Sequence, residues 1–270
     1  MNQERKEPER VDGVELLDRP LSPRSLIGSL LLGMRPPRMP GNRLVEWCAL
    51  FGVAEGTARV ALSRMVERGE LTWADGTYEL AGHLRHRQPA QDWSLDPQLA
   101  PWAGEWLLGV VETGARTASE RSALREAARR LRTVELRDGV WARPDNLPRA
   151  AAPSEAWATA DAQCTWWSGR PSADSSALAT RLFAPAAWAK RARALHGRLV
   201  SSTEVVNCGA ADKIADAFVV GAAALAHVRA DPLLPLELCG QDWPGDALRA
   251  AYLEYQSAFA DAVRGWFRTR

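Results

Sequence analysis

The chain has 270 residues, 46% hydrophobic and 25% charged, with a formal net charge of +1. That balance supports a folded core and excludes a disordered chain, and the length allows two or three domains. No apolar run approaches the ~18–20 residues needed to span a bilayer, the N-terminus lacks a signal-peptide core, and the near-neutral charge does not by itself announce nucleic acid.

Residues 1–18 carry six acids against three bases and read as a solvated, flexible tail. Ser22-Pro23 is a helix start, with Ser as N-cap and Pro at the first helical position. Leu26, Ile27, Leu30 and Leu31 follow at helical spacing. The run from Arg35 to Gly41 holds three prolines, so it cannot be helical and is expected as a loop. Asn42 is expected to cap a second helix that buries Leu44, Val45, Trp47, Cys48 and Leu50 and stops at Gly52. A third helix is predicted from Glu55 to Arg68, with Ala58, Ala61, Leu62, Met65 and Val66 facing the core and Gly69 ending it. Leu71-Thr72-Trp73 and Thr77-Tyr78-Glu79-Leu80 alternate around Asp75-Gly76, a strong hairpin signal.

Two helices joined by a tight turn and followed by a hairpin have the shape of a winged helix-turn-helix over residues 19–87, whose third helix would lie in the major groove of DNA. Arg59 is the candidate for a bidentate contact to guanine, and Thr57 and Ser63 suit phosphate or a thymine methyl. Arg64 lies toward the rim, and Asn42 and Thr57 stand near helix N-termini, where phosphates bind.

Residues 88–101 are rich in Pro, Gln and Asp and read as a linker. Beyond them a strand is expected at 105–112, a helix at 119–132, a strand pair at 133–144 turning on Asp138-Gly139, a strand near 160–167 and a helix near 175–199. That order suggests a split βαβ sheet with helices on one face, spanning 102–200. Residues 201–270 are predicted mostly helical. Cys48, Cys164, Cys208 and Cys239 contain no CxxC pair and are expected as buried thiols in a reducing cytoplasm, with neither zinc site nor disulfide framework.

The segments SPRSLIGSLLLG, VAEGTARVALSRMVERGEL, EWLLGVVE, RSALREAARRLR, DGVWARPDNL and HVRADPLLPLELCGQDWPG occur in this order. Together they resemble the PaaX-like repressors of phenylacetic acid catabolism over roughly residues 20–265. Asp231-Pro232, Leu234-Pro235, Leu238 and Trp243-Pro244-Gly245 carry the most specific part of the likeness. The resemblance implies an α+β protein of three parts: an N-terminal winged helix, a central ferredoxin-like domain similar to the small CRISPR-associated adaptation nuclease, and a C-terminal helical dimerisation domain over 201–270. It implies a cytoplasmic, nucleoid-associated homodimer that binds double-stranded palindromic operator DNA and is released by an acyl-CoA effector such as phenylacetyl-CoA. Glu55, Thr57, Arg59, Ser63 and Arg64 fall on the matching recognition helix. The family usually carries a base in the wing, whereas the tip here, Ala74-Asp75-Gly76-Thr77, is acidic. Arg85 and Arg87, with His83 and His86, stand just behind it as substitutes.

Of twelve tryptophans, seven lie between Trp102 and Trp188. Trp106 and Trp141 are candidate walls for an aromatic acyl group, with Arg121, Arg125 and Arg129 as candidate partners for CoA phosphates; core packing is the competing reading of the same residues. No enzyme motif occurs. Glu112 alone marks the strand end where a nuclease would cluster carboxylates, so neither catalysis, a cofactor nor a metal site is expected, and nuclease activity remains a remote alternative. The nearer alternative is a constitutive DNA-binding or architectural protein without an effector.

Overall fold

A computed structural model describes residues 10, 11, 14–16, 21–85, 87–112, 114 and 116–268. In chain order the elements are β1 (Arg10–Val11), β2 (Val14–Glu15), α1 (Pro23–Gly33), β3 (Arg38–Pro40), α2 (Gly41–Ala49), α3 (Glu55–Glu67), β4 (Leu71–Ala74), β5 (Thr77–Leu80), α4 (Gly82–Arg85) and α5 (Arg87–Leu95). Then come β6 (Trp106–Val111), α6 (Ala118–Arg130), β7 (Val134–Arg137), β8 (Val140–Pro144), α7 (Ser154–Asp161), β9 (Cys164–Gly169) and α8 (Ser175–Phe183). The chain ends with α9 (Pro185–Asn207), α10 (Ile214–Arg229), α11 (Leu236–Cys239) and α12 (Gly245–Arg268). The protein is thus mixed α/β, with small antiparallel sheets among many helices. Most of the tail expected over 1–18, and His86, lie outside the described residues; β1 and β2 form an antiparallel pair within that tail. Among the described residues no helix is long and apolar enough to cross a membrane.

Two compact units divide the chain. The first comprises Met1–Leu95, Ala192–Arg229 and Ala247–Arg270; the second comprises Asp96–Arg191 and Ala230–Asp246. The residues expected as a separate C-terminal domain, 201–270, therefore do not stand apart. Trp47 on α2 is fully buried, its indole N–H donates to the Leu26 carbonyl at 3.3 Å, and Phe51, Phe218 and Phe259 meet its ring edge-on at 5.2, 5.1 and 6.3 Å. Phe218 lies on α10 and Phe259 on α12, so these helices share one core with α1, α2 and α3, which also takes in Leu62, Met65, Val263 and Trp266. Periodicity predicted the apolar faces of α1, α2 and α3 but could not name what they pack against.

Three further expectations change in this unit. The stretch after Arg35 is non-helical, yet Arg38–Pro40 pairs with β5 as an edge strand, where proline's missing donor is tolerated, giving a three-stranded sheet in the order β3-β5-β4. The linker predicted at 88–101 begins as α5, which buries Gln91, Ser94 and Leu95 and packs on α10; Pro89 sits in its first turn, where no helical hydrogen bond is lost. Val66 is 36% exposed and flanks the α3 core stripe instead of joining it.

The second unit runs β6–α6–β7–β8–α7–β9, with the sheet ordered β7-β8-β6-β9 and every neighbour antiparallel. Helix α6 opens with a capping box in which Thr117 and Glu120 bond each other's backbone N–H. Helix α7, which the sequence reading passed over, supplies the second crossover. Helices α6 and α7 cover the face carrying Trp141, Arg143 and Trp166: Trp157 of α7 meets Trp166 at 5.1 Å, and Arg143 donates to the carbonyl of Leu131 after α6. The other face, expected to be open, is partly covered by α8 and α11, since Trp106, Ala142, Ala179 and Leu238 form one cluster.

The segment Asp231–Pro235 is anchored to this sheet through buried polar groups. Asp231 accepts from the Leu233 N–H at 2.9 Å, which holds Leu233 at a positive φ of 54°, and the Leu233 carbonyl accepts from Asn146 Nδ2 at 3.1 Å and Arg143 Nη2 at 3.3 Å. Arg143 is 1% exposed and donates also to Pro144 O, Leu131 O and Asn146 Oδ1; burial pushes its pKa down to about 9.

Packing density in the first unit is tested by two glycines. A methyl at Gly221 of α10 would fall well inside contact distance of the Tyr255 ring, whose hydroxyl is fixed by the Ala217 carbonyl at 2.7 Å. A methyl at Gly197 of α9 meets nothing within 4 Å. Gly221→Ala is expected to cost about 1–3 kcal/mol in denaturant unfolding, and Gly197→Ala to stabilise by up to about 1 kcal/mol.

Candidate nucleic-acid interface

The turn between α2 and α3 is closed by a Schellman motif. Gly52 lies at φ 73°, its N–H bonds Ala49 O at 3.0 Å, and the Val53 N–H bonds Cys48 O at 3.2 Å. A side chain at Gly52 would strain that left-handed conformation, so glycine is required for α3 to leave at this angle. Gly69 ends α3 in the same way, with its N–H to Val66 O and the Glu70 N–H to Met65 O, both at 2.9 Å.

Helix α3 buries Ala58, Leu62 and Met65 and exposes Glu55, Gly56, Thr57, Arg59, Val60, Ser63 and Arg64. The predicted contact residues Glu55, Thr57, Arg59, Ser63 and Arg64 therefore share the outward side of one helix. Arg59 is not free in the isolated protein: its Nε donates to Glu55 Oε1 at 2.8 Å and Nη2 lies 2.7 Å from the same oxygen. Both side chains are about two-thirds exposed (64% and 65%), and an exposed i,i+4 pair holds by only about 0.3–0.5 kcal/mol, so it opens at little cost. Asn42 is exposed as expected but is not a cap. Helix α2 starts one residue earlier, behind Pro40, with no side-chain capping bond, because the β3 strand delivers Pro40 and Gly41 directly into the helix.

The hairpin of β4 and β5 turns on Asp75 (φ 48°) and Gly76 (φ 76°), the two positive values of a type I′ turn. Its tip carries one acid and no base. Behind it, Arg85 Nη1 lies 3.9 Å from Glu79 Oε1, and His83 Nε2 lies 3.9 Å from Glu70 Oε1. Two features of this hairpin were not read from the sequence. Arg38 on β3 stands opposite Glu79, and with Thr72 lines the outer face of the sheet, placing a base beside the hairpin from a segment that reads only as loop. Trp73 shares the core-side face with Leu71 but is 59% exposed, because the hairpin runs past the end of the core there.

The hairpin is held to α1 by an ion pair. Arg24 donates through Nε and Nη2 to both oxygens of Glu70, each at 2.7 Å, and Glu70 is 4% exposed. The Arg24 hydrogen bonds hold the Glu70 carboxyl below its ordinary value of 4.5 against the opposing effect of burial.

The candidate effector residues are not brought together. Register places Trp106 beside Pro144 and Trp141 beside Gly109, on opposite faces of the sheet. Trp106 is 1% exposed and donates to Ser175 Oγ at 3.1 Å; Trp141 is 8% exposed and lies on the face covered by α6 and α7. Arg121, Arg125 and Arg129 are exposed on the outer side of α6, with Arg129 paired to Glu126. Both tryptophans are core residues, and alternation along a strand explains why two indoles at these positions cannot wall one pocket. The Glu112 carboxylate accepts from the Thr165 hydroxyl, and among the described residues no three His, Cys, Asp or Glu converge as metal ligands. Of the four thiols, Cys48 and Cys164 are buried, with burial pushing Cys48 up to about 11, whereas Cys208 is exposed against expectation, in the turn after α9.

A family model for PaaX-like protein matches residues 22–84, and one for the PaaX-like protein C-terminal domain matches residues 182–269. A solved structure of the uncharacterized protein Rv0674 from Mycobacterium tuberculosis is 35% identical, with a TM-score of 0.69, covering 92% of this chain and 99% of that one. No curated protein matches.

Because Glu70 is depressed in the folded state, its contribution to stability is fully present above its ordinary value and is lost as pH falls through the folded value. Glu70→Gln should lower stability at pH 7 by roughly 1–3 kcal/mol. Thermal melts at pH 7 and pH 3 should show this deficit shrinking in acid; a deficit of equal size at both would place the stabilisation in packing instead of charge.

Proposed function

We propose that this chain, which belongs to the PaaX-like protein family, is a sequence-specific DNA-binding transcriptional regulator acting as a ligand-released repressor. The observation that carries the reading is the outward row Thr57, Arg59, Ser63 and Arg64 on a helix whose opposite side is locked into a core. Short hydroxyls and a guanidinium near a helix start are what base edges and phosphates in the major groove accept. Helices α2 and α3 with the β4–β5 hairpin are read as a winged helix-turn-helix, and the β6–β9 unit as a ferredoxin-like domain; element order and antiparallel register support both readings. A homodimer would present two such helices to a palindromic operator with half-sites ~34 Å or a multiple apart, on a cytoplasmic, nucleoid-associated protein.

The effector is proposed as an acyl-CoA of the phenylacetyl type, on family membership alone. The placement of Trp106 and Trp141 on opposite sheet faces argues for a different acyl site from the one those residues suggested, and it also favours the second reading, constitutive DNA binding without an effector. Mobility shift on DNA flanking the gene, with a panel of acyl-CoAs, separates the two: release by one thioester supports the repressor, and retention with all of them supports the constitutive binder.

The role of Arg59 is tested separately. Arg59→Ala should weaken binding to the selected operator by about 5–100-fold while changing binding to unrelated DNA far less. Equal losses on both would make Arg59 a phosphate contact.

A further inference from the structure

Resting on the reading of α3 as a base-reading helix, we infer that Glu55 and Arg59 form one composite reader that selects a guanine together with the amino group of a cytosine within one base step of it. The two Arg59 nitrogens along one edge, Nε and Nη2, both address Glu55 Oε1 at 2.8 and 2.7 Å. That leaves Nη1 and the outer N–H of Nη2 as a terminal fork, the edge that matches guanine O6 and N7. The second carboxylate oxygen, Oε2, has no partner among the described residues, and the pair is about two-thirds exposed. The composite tip thus offers a two-donor fork and, within a few ångströms of it, an acceptor.

Phosphate oxygens are acceptors only, so the DNA backbone satisfies the fork but repels the carboxylate. A guanine beside an amino group on the groove floor satisfies both, guanine O6 and N7 accepting from the fork and the amino N–H donating to the carboxylate, and cytosine N4 is the amino group that Glu and Asp accept from. Glu55 also opens α3, where the helix dipole favours the ionised carboxylate. The carboxylate therefore acts as a filter. It neutralises Arg59 toward unrelated backbone and returns affinity only where a donor lies beside the guanine.

The test begins with binding sites selected by the wild-type protein from random duplex DNA. Each cytosine of the selected site is then replaced in turn by 2-pyrimidinone, which lacks the N4 amino group. One replacement should weaken wild-type binding by about ten-fold. At that site Glu55→Ala should bind equally well with cytosine or the analogue, while unrelated DNA is bound more tightly than by wild type. The first measurement uses the unaltered protein and does not depend on how a variant folds. No cytosine responding to the analogue, or an unchanged response in Glu55→Ala, overturns the composite reader while leaving α3 as the reading helix. Failure of the wild-type protein to select any sequence overturns the base-reading proposal itself, and this inference with it.

Discussion

The burial of Trp47 is the constraint from which the arrangement of α1, α2 and α3 follows. Its ring fills the space among α1, α2, α10 and α12, and a single indole N–H bond to Leu26 O fixes it in place. A tryptophan so placed removes roughly 200 Å² of apolar surface from water, which dominates a small helical core. Residues 21–95 alone would leave Phe51 and one side of Trp47 exposed, since Phe218 and Phe259 come from more than 160 residues further along. The C-terminal helices are thus part of the scaffold that aims α3, and a perturbation of α10 or α12 has a physical route to it through packed rings.

How much of this was legible depends on the range of the interaction. Elements whose signal is local were read closely: the Ser22-Pro23 start, the Asp75-Gly76 hairpin, the Gly52 and Gly69 stops, and the helix α6. What failed was non-local. Arg38–Pro40 becomes a strand only because β5 lies beside it, α5 becomes a helix because α10 covers its buried side, and the Arg24–Glu70 pair joins residues 46 apart. The outward row on α3 was legible because a surface is defined by what the core does not take. The paired tryptophans misled because composition counts indoles without saying which face of the sheet each occupies.

The stretch Asp231–Pro235, which carries part of the likeness read from the sequence, has a structural explanation that needs no ligand. Asp231 shapes the turn that puts Leu233 at positive φ, and the Leu233 carbonyl is one of the groups that make a buried guanidinium tolerable. A charge taken from water needs its donors answered, and here carbonyls and one amide answer them. Leu234 is buried as well, and Leu238 packs with Trp106, Ala142 and Ala179 on the other face of the sheet. Residues around Asp231–Pro235 are therefore held by the needs of Arg143 and Asn146.

Electrostatics then bears on how this module would meet DNA under the proposed function. Arg24, Arg35, Arg43, Arg59 and Arg85 each face a carboxylate, at 2.7, 3.1, 3.0, 2.7 and 3.9 Å. The hairpin tip adds an acid. Non-specific affinity comes almost wholly from bases that displace counterions from phosphates, and each of these bases would first exchange its carboxylate for a phosphate, at a cost of up to about 1 kcal/mol for an exposed pair. Under the proposed function, selectivity would rest on what the outward side of α3 offers to base edges, since the ion pairs blunt the pull of these bases on phosphate.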